Sequence, residues 1–312
     1  MKIFIPGGAG LVGINLIAAI KERYPNWELI VVDKKYQSIQ VAEKIFPNVK
    51  FICEDLTKDI NQNWPSEIKE CDVCIMLQAE IGSKRSDLFE LNNVVSTKVI
   101  LKQLKIAGIK RIIHVSSSVV NSKSDDLYTF TKRKQEFLVN ESFPKCVVLR
   151  PTLMFGWFDR KHLGWLANFM VKLPLFPIPG KGDFVRQPLF VGDFSSIIIS
   201  CIIDESISGK YNISGLEKIK YLRLMKMLKE IKSSRIVFVH LPIPIFAFLL
   251  KIWALISKNP AFTTSQLYSL IAGDEFQIID WPNIFNVKST PFKEALEITH
   301  NNKRYSKINI PF

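Results

Sequence analysis

The sequence has few residues that could build a metal site, and it lacks the periodicity of repeat proteins. Its 312 residues include only four histidines, and their spacing matches no set of metal ligands: His114, His162, His240 and His300. His114 falls in an apolar, strand-like run, where we expect a core residue with satisfied hydrogen bonds. No internal repeat or low-complexity linker interrupts the chain. These absences argue against a metalloprotein or a repeat array and predict a globular protein of enzyme size.

The five cysteines do not form the pattern of a disulfide framework. Their number is odd, and most of them lie inside apolar runs: Cys53, Cys71, Cys74, Cys146 and Cys201. Cys71 and Cys74 have the spacing of a redox motif. However, "CDVCIML" has the pattern of a strand with its entry turn, where no helix N-terminus could lower the pKa of a thiol. We therefore predict neither structural disulfides nor a redox pair.

Acidic residues are too few to balance the basic ones. The chain has 42 Lys and Arg against 29 Asp and Glu, a formal net charge of +13. Such an excess suggests an anionic ligand, an anionic membrane surface or nucleic acid. No basic cluster is interleaved with aromatic residues, and no zinc-finger or recognition-helix motif is present, so nucleic acid is the least favoured partner.

A secretion signal and a regular membrane span are also missing. The start, "MKIFIP", has one leading charge and a short apolar run that breaks at Pro6, which predicts a cytoplasmic protein. Residues 236–256 are long and apolar enough to span a bilayer on paper, but four residues oppose a regular span: His240, Pro242, Pro244 and Lys251. We predict a short strand, a turn and a helix there. That helix is either buried or rests on the inner face of the membrane.

Hydrophobic periodicity indicates an α/β protein with a doubly wound parallel sheet of the Rossmann type. Six strand-like runs occur in the first half: "KIFI", "ELIVV", "VKFI", "DVCIML", "RIIHV" and "KCVVL". Helical patterns alternate with them, starting near Leu11, Tyr36, Ser86 and Tyr128. Further helical patterns follow at 193–204, 220–232, 243–258 and 263–272. We predict a dinucleotide-binding domain over 1–150 and a smaller, mainly helical substrate lobe over 151–312, partly interleaved with the sheet.

The stretch "KIFIPGGAGLVG" has the features of a dinucleotide-binding loop. Gly7 would permit a tight turn after a strand, Gly10 would let the backbone approach a pyrophosphate, and Gly13 would allow close helix packing. Asp33 follows the second strand about 20 residues later, where its carboxylate could bind the adenosine ribose hydroxyls. NAD is therefore favoured over NADP, although the lysines at 34–35 could pair with the extra phosphate of NADP.

A candidate catalytic set lies in the second half of this domain. Tyr128 and Lys132, in "YTFTK", are four residues apart and share one face of a predicted helix. A nearby ammonium would stabilise phenolate, so that the tyrosine could move a proton at neutral pH while the lysine also holds the nicotinamide ribose. The serines at 116–118 end a strand whose carboxyl edge should face the same crevice.

Together these motifs resemble the extended short-chain dehydrogenase/reductase superfamily, in its NAD-dependent epimerase/dehydratase branch, over nearly the whole chain. The resemblance implies catalytic roles for Ser117, Tyr128 and Lys132, with Ser118 as the runner-up hydroxyl and a candidate substrate contact. It implies a structural role for Asn93 and a substrate-diphosphate role for Arg186, in "VRQPLFVGD". It also implies a set of cofactor-binding residues: Gly7, Gly10, Leu11, Val12, Gly13, Asp33, Asp55, Leu56, Leu77, Gln78, Ala79, Tyr128 and Lys132.

The chain departs from the family pattern at three places, of which the last two bear on mechanism. Gln78 replaces the first of two small residues after the fourth strand. Ser118 and Val119 stand where the 4,6-dehydratases of the family have the Asp-Glu pair that performs elimination, so epimerisation or simple redox is favoured over dehydration. The loop between Ser117 and Tyr128, residues 118–127, is shorter than usual, so some substrate contacts must come from elsewhere.

The predicted function is that of an NAD-dependent epimerase acting at C4 of a diphosphate-linked sugar. The C-terminal lobe is similar to family members that work near membranes on polyprenyl-linked sugars, so the carrier is a nucleotide or a polyprenyl group. One alternative is a dinucleotide-binding accessory subunit of the respiratory complex I type, which binds its cofactor without turnover. Another is a simple ketone or alcohol reductase. The family also implies a homodimer through helices that flank the sheet.

Overall fold

The structure, a computed structural model, describes residues 1–83, 85–122, 126–159, 163–172, 174–257, 262–273, 276–308 and 310. Its strands are β1 Lys2–Pro6, β2 Glu28–Asp33, β3 Lys50–Cys53, β4 Val73–Met76, β5 Arg111–Val115, β6 Val147–Pro151, β7 Met154–Phe155, β8 Leu175–Pro179, β9 Val185–Arg186, β10 Leu189–Phe190, β11 Gly209–Ile213, β12 Ile219–Lys220 and β13 Val237–Leu241. Its helices are α1 Leu11–Arg23, α2 Tyr36–Ile45, α3 Trp64–Glu67, α4 Ser86–Phe89, α5 Ser96–Ile106, α6 Leu127–Ser142, α7 Leu163–Met170, α8 Val191–Ile203, α9 Tyr221–Ile231, α10 Ile243–Ile256, α11 Thr264–Ala272, α12 Trp281–Phe285 and α13 Phe292–Asn301. A π-helical stretch, Glu90–Val95, joins α4 to α5, and a 3-10 turn, Ser118–Asn121, follows β5.

The predicted Rossmann-type sheet is confirmed. Seven strands pair in parallel in the order β3-β2-β1-β4-β5-β6-β11. The order reverses direction between β1 and β4, which creates the crevice where open α/β sheets bind their ligands. All six strands predicted from the first half of the sequence are present within one or two residues.

Both faces of this sheet are buried, as the continuous apolar runs of its strands require. Along β1, Ile3 and Ile5 belong to a core shared with α1 and α8, whereas Phe4 points to the other face and stacks on Trp64 with ring centroids 5.7 Å apart. The same alternation continues through the neighbouring strands. The sheet is therefore a rigid layer whose loops at one edge are held in fixed positions.

The second half of the chain contributes to this sheet and also builds a separate layer. β11 pairs with β6 at the sheet edge, and α8 packs against α1. The other strands form three two-stranded pairs, β7 with β10, β9 with β12 and β8 with β13. A third core joins α7, α9 and α13. The division into domains at residue 150 stays a prediction.

The apolar segment at 236–256 has the predicted order of strand, turn and helix. It forms β13 and α10, and Pro242 and Pro244 stand at the start of the helix. The pattern at 243–258 ends with Lys258, which lies outside the described residues. Among the residues that the structure describes, no helix combines the length and apolar content needed to cross a bilayer.

Candidate functional site

The predicted site residues gather at the carboxyl edge of the parallel sheet. Gly7 follows β1, Asp33 ends β2, and Ser117 follows β5. At the point where the strand order reverses, the loops after β1 and β4 touch. A Cβ added to Gly7 would lie 2.4 Å from the backbone N and Cα of Gln78, and Gly7 has a φ of +76°. Only glycine fits this position, because a side chain would collide with the neighbouring loop.

The glycine loop leaves an open cradle at the N-terminus of α1. Gly13 packs so closely on the loop that a Cβ there would lie 2.2 Å from the Gly8 oxygen. At Gly10 a Cβ would meet only the Gly7 oxygen, at 3.7 Å. No side chain caps α1, whose first two residues, Leu11 and Val12, are half-buried beside the loop. Open space next to unpaired backbone N–H groups and the positive end of a helix dipole fits a pyrophosphate.

Asp33 lies directly beside this cradle. Its Oδ2 accepts a hydrogen bond of 3.2 Å from the Ala9 N–H, and its Oδ1 accepts one of 3.1 Å from the Lys35 N–H. The Lys34 ammonium donates to the Asn92 side-chain oxygen at 2.6 Å. The carboxylate is thus fixed at the end of β2, while one of the two lysines that could favour NADP is bound to a different element.

Four more predicted cofactor residues form the wall after β3 and β4. Asp55 accepts two hydrogen bonds through Oδ1, from the N–H and the hydroxyl of Thr57 at 3.0 and 2.9 Å. Leu56 is buried, Leu77 is half-buried, and Ala79 is exposed. The loops carrying these residues follow β3 and β4, on opposite sides of the glycine loop. Such an arrangement could hold an adenine ring between apolar side chains.

Gln78, which replaces a small residue of the family pattern, is accommodated below the sheet edge. Its side chain is buried, and its Nε2 donates to the Thr97 hydroxyl at 3.2 Å. Its backbone oxygen accepts a hydrogen bond of 3.3 Å from Nε2 of Gln135 on α6. Gln78 Oε1 and the Ser116 hydroxyl are buried without a hydrogen-bond partner among the described residues. The ends of β4 and β5 therefore carry unsatisfied polar groups beside the crevice.

Tyr128 lies in the first turn of α6 and faces the end of β5. Asp126 caps this helix by accepting a hydrogen bond of 2.8 Å from the Thr129 N–H. Burial raises the pKa of Tyr128 and the charge of Asp126 raises it further, whereas a hydrogen bond with the Ser117 hydroxyl lowers it. Ser117 is thus the serine that the structure brings to the phenol.

Lys132 is almost fully buried one turn further along α6. Its ammonium donates to the Val115 oxygen at 3.1 Å and to Oε1 of Gln135 at 2.7 Å. Burial lowers the pKa of Lys132 to about 7, although the charge of Glu136 opposes this shift. The sequence interpretation expects Lys132 to lower the pKa of Tyr128, but the pKa of Tyr128 is raised in this structure. The main physical reason is that burial disfavours the charged phenolate of Tyr128, and it likewise disfavours the charged ammonium of Lys132.

Several residues that hold this site were not identified from the sequence. Gln135 links Lys132 to Thr97, whose hydroxyl accepts from Gln135 Nε2 at 2.9 Å. Arg150 at the end of β6 forms a bidentate ion pair with Glu136, at 2.9 and 2.6 Å. No signal in the sequence identified them: positions 132, 135, 136 and 139 form one buried stripe of α6, but three of these four residues are polar, and their burial follows only from the packing of the helix.

Asn93, for which the family pattern implies a structural role, makes contacts of that kind. Its side-chain oxygen accepts from the Glu80 N–H at 2.6 Å, and its Nδ2 donates to the Thr131 hydroxyl at 2.9 Å. It therefore connects the loop after β4 to α6, the helix that carries Tyr128.

Arg186 reaches the same sheet edge from the second half of the chain. It lies half-buried in β9 beside Tyr221, and the next residue is Gln187. Gln187 Nε2 donates to the Gly215 oxygen at 2.8 Å, and its backbone oxygen accepts from the Thr152 hydroxyl at 3.4 Å. Gly215 and Thr152 follow β11 and β6, so these contacts of Gln187 hold the end of β9, where Arg186 lies, next to the carboxyl ends of the outer strands. Ser118 is half-buried at the start of the 3-10 turn.

The structure also bears on the expectations for His114 and for the cysteines Cys71 and Cys74. His114 is fully buried, but neither ring nitrogen has a hydrogen-bond partner among the described residues, so the expectation of a satisfied core histidine is wrong. Burial, assisted by the charge of Lys132, holds the pKa of His114 well below its usual value. Cys71 and Cys74 are buried at the entry of β4, and burial raises the pKa of both thiols, to about 11 for Cys71, which disfavours thiolate chemistry.

A family model matches most of this chain, and several known proteins are similar to it. The model of the NAD dependent epimerase/dehydratase family matches residues 3–214. A mouse protein, NADH dehydrogenase [ubiquinone] 1 alpha subcomplex subunit 9, is 26% identical over 76% of this chain and 64% of its own length. The dTDP-D-glucose 4,6-dehydratase of Dictyostelium discoideum is 24% identical over 74% of this chain and 62% of its own length. The matched stretch is thus less than two thirds of either relative.

Solved structures of similar shape extend the comparison to almost the whole chain. UDP-glucuronic acid 4-epimerase from Bacillus cereus, in complex with UDP-glucuronic acid and NAD, covers 96% of this chain and 100% of its own, with a TM-score of 0.67 and 20% identity. UDP-glucose 4-epimerase from Thermotoga maritima, with UDP-glucose, covers 97% and 99%, with a TM-score of 0.72 and 17% identity. At these identities the likeness establishes the fold.

Proposed function

The chain belongs to the NAD-dependent epimerase/dehydratase family, and from that premise we propose that it is an NAD-dependent epimerase of diphosphate-linked sugars. The observation that carries this proposal is the meeting of Tyr128, Ser117 and Lys132 at the carboxyl end of β5. A site that only bound a dinucleotide would not require a tyrosine, a serine and a buried lysine at one point.

NAD is the cofactor that the residues around α1 fit. The open cradle at Gly10 would take the pyrophosphate, Asp33 would accept the adenosine ribose hydroxyls, and Asp55 with Leu56 would border the adenine. The hydrogen bond from Lys34 to Asn92 supports NAD over NADP, because that ammonium already has a partner. When bound, NAD supplies hydride acceptance and return at the sugar carbon.

The residues of this chain would move the proton that accompanies that chemistry. Tyr128 is placed to take the proton of a sugar hydroxyl and to return it, and Ser117 to bond the reacting oxygen. Burial lowers the pKa of Lys132 to about 7, so the lysine gives up its proton more readily than an exposed lysine does. Its position one turn from Tyr128 would let it hold the nicotinamide ribose.

Epimerisation is favoured over dehydration because of the residues after Ser117. Elimination of water needs an acid and a base, and Ser118 and Val119 supply neither at neutral pH. The short loop at 118–127 includes residues 123–125, which lie outside the described residues. Arg186 would bind the substrate diphosphate, in keeping with a net charge of +13. The carrier attached to that diphosphate is a nucleotide or a polyprenyl group.

The test is inversion at C4 of a sugar. Purified protein with NAD is given UDP-N-acetylhexosamines and, separately, a polyprenyl-diphosphate hexosamine, and the products are separated by chromatography. We expect inversion without net NADH formation. In Tyr128→Phe turnover should fall by about 10²- to 10⁴-fold while NAD affinity stays nearly unchanged. An active Tyr128→Phe variant would end the proposed chemistry, and net NADH consumption with a ketone would indicate a reductase.

A second candidate is a dinucleotide-binding accessory subunit without turnover. The similarity to the mouse protein named as a subunit of NADH dehydrogenase, at 26% identity over 76% of this chain, supports it. The two functions differ in what the purified protein does alone. Tight retention of a dinucleotide without conversion of any sugar, in wild type and Tyr128→Phe alike, would favour the subunit.

A homodimer through the helices beside the sheet is also proposed. Phe130 and Phe137 on α6 and Ile106 on α5 are all more than half exposed. Exposed aromatic side chains on adjacent helices are typical of a protein contact. Light scattering after size-exclusion chromatography should give twice the chain mass of 35.8 kDa for the wild type, and the mass of one chain for Phe137→Lys.

A further inference from the structure

Helix α10 exposes most of its apolar side chains to solvent. Of its 14 residues only Ala247 and Leu250 are buried, and both pack with Leu267 of α11. Phe248 is 61% exposed and Leu255 is 88% exposed. Five further apolar residues of α10 are also exposed: Ile245, Leu249, Ile252, Trp253 and Ile256. A helix rich in Phe, Leu and Ile is usually part of a core, but here most of its sides are open.

The strand before this helix extends the same surface. Val237 and Val239 of β13 are exposed, and Leu175 on the paired strand β8 is 56% exposed. We call α10 together with these three side chains the apolar face. So many exposed apolar side chains on adjacent elements indicate a surface that is covered when the protein works.

The charges around the apolar face have one sign. Residues 231–273 contain no Asp or Glu at all, and Lys251 is the one charged residue within α10. Residues 218–235 contain seven Lys and Arg and one acidic residue, Glu230. With Lys251 and Lys258, residues 218–258 carry nine basic and one acidic residue, a net +8, out of +13 for the whole chain.

Two contacts relate α9, which carries several of these basic residues, to the elements of the apolar face. The Lys229 ammonium at the end of α9 lies over the Phe238 ring, 5.7 Å from its centroid, on the side of β13 opposite to Val237 and Val239. The turn at 180–182 contacts both helices, since Gly182 packs on Leu222 of α9 and Gly180 lies beside Ile243 of α10. Arg223 and Lys226 are exposed on α9, three residues apart and hence on one side.

We propose that the apolar face docks this protein on an anionic lipid bilayer, with α10 lying in the interface and the basic residues of 218–235 against the lipid headgroups. An amphipathic surface that combines exposed Leu, Ile, Phe and Trp with Lys and Arg partitions into such an interface. A second copy of the chain fits this surface less well, because it would bring two segments of net +8 together. The proposal does not depend on the enzymatic one, since binding to lipid is measured without turnover.

Binding is measured by sedimentation with vesicles of phosphatidylcholine alone and with vesicles that also contain phosphatidylglycerol. We expect binding to the anionic vesicles, weak binding to the neutral ones, and a decrease with added salt. Leu255→Glu should weaken binding by on the order of tenfold or more, because it places a carboxylate in the interface. Lys226→Ala should weaken it about fivefold. Ile60→Glu is the matched control, since Ile60 is 76% exposed in another part of the molecule.

Trp253 gives a second measurement at the docking site itself. It is 38% exposed on α10, and brominated lipids in the vesicles should quench part of the tryptophan emission. This quenching should disappear in Trp253→Phe, a variant that leaves binding nearly unchanged. The proposal is overturned if anionic vesicles do not bind the protein, if Leu255→Glu binds as well as wild type, or if Trp253 is not quenched. It is also overturned if the wild type forms a dimer that Leu255→Glu dissociates.

Discussion

Two regions of this molecule depart from the usual distribution of polar and apolar residues, in opposite directions. At the carboxyl end of β5, a lysine, a glutamine and a histidine are buried: Lys132, Gln135 and His114. On α10, Leu255 and Ile256 are at least 80% exposed. In the first region polar groups are removed from water, and in the second region apolar surface stays exposed to water. Both cost stability, and such costs are expected where a protein binds or reacts with something else.

The two regions differ in whether groups of the chain itself compensate for this cost. The buried polar groups are held by a rigid frame, because Lys132 and Gln135 bond each other and the ends of β4 and β5. In the apolar face, by contrast, the buried residues of α10 pack with Leu267 of α11 in a small core of their own. The proposed reaction site is thus marked by buried polar groups in a hydrogen-bonded frame, and the proposed docking surface by exposed apolar side chains.

Replacement of the buried ammonium should give the largest change in stability. The pKa of Lys132 is about 7 in the folded chain and near 10.4 when unfolded, so folding at neutral pH and below costs on the order of 4 kcal/mol for this group. Because the unfolded chain binds more protons between these values, stability rises with pH across that window. Lys132→Met should raise Tm at about pH 7, and the gap from wild type should close as pH rises to about 10.

The matched control is Lys98→Met, at an exposed position on α5, which should leave Tm nearly unchanged at every pH. If Lys132→Met destabilises the protein at neutral pH, the hydrogen bonds of the lysine contribute more than its burial costs. The statement that this buried lysine costs stability would then be wrong.

Removal of the partner of Lys132 should have the next largest effect. Gln135→Leu keeps the volume but leaves the Lys132 ammonium, the Gln78 oxygen and the Thr97 hydroxyl each with one hydrogen bond fewer. We expect a loss of about 2 kcal/mol in the free energy of unfolding, measured by urea denaturation. Gln103→Leu is the control, because the Gln103 amide donates to Asp59 nearer the surface. Equal losses in the free energy of unfolding at the two positions would mean that the buried hydrogen bonds of Gln135 contribute no more to stability than a hydrogen bond nearer the surface.

His114 should make the protein sensitive to acid. The pKa of His114 is held well below 6.5 in the folded state, so below about pH 6.5 the unfolded chain takes up a proton that the folded chain does not. Stability should therefore fall as pH falls, by at most about 1.4 kcal/mol per pH unit for this group. His114→Leu should flatten the dependence of Tm on pH between about 4 and 6. His240→Gln, at an exposed position, should leave that slope unchanged.

The exposed apolar face should give the smallest change in stability. Leu255→Gln should alter the free energy of unfolding by less than about 0.5 kcal/mol, because Leu255 is 88% exposed. Leu250→Ala on the same helix should cost about 2 kcal/mol or more, because Leu250 is buried against α11. Urea denaturation measures both. A large loss in Leu255→Gln would show that this side of α10 is already packed within the chain.

The sequence predicted the strands and motifs that position the site better than it predicted the hydrogen-bond partners within the site. The strands, the glycine loop, Asp33 and the order of Tyr128 and Lys132 follow from local spacing, because each depends on residues close in the chain. The partners of Lys132 could not be predicted, because Gln135 is recognised as buried only once α6 packs on β5 and α5. The strand β11 and helices α7 and α12 were also missed, because short or proline-containing segments carry little periodicity. Helix α13 was missed although its ten residues have an amphipathic pattern.

What the sequence by itself determined is the parallel sheet, the dinucleotide loop and the pairing of Tyr128 with Lys132 on one helix face, because hydrophobic period and glycine placement act over short distances. Tertiary structure alone decided three things: the burial that sets the pKa of Lys132 at about 7, the isolation of His114, and the exposure of α10. Each of these depends on which elements pack together, and burial is a property of that packing rather than of the local sequence.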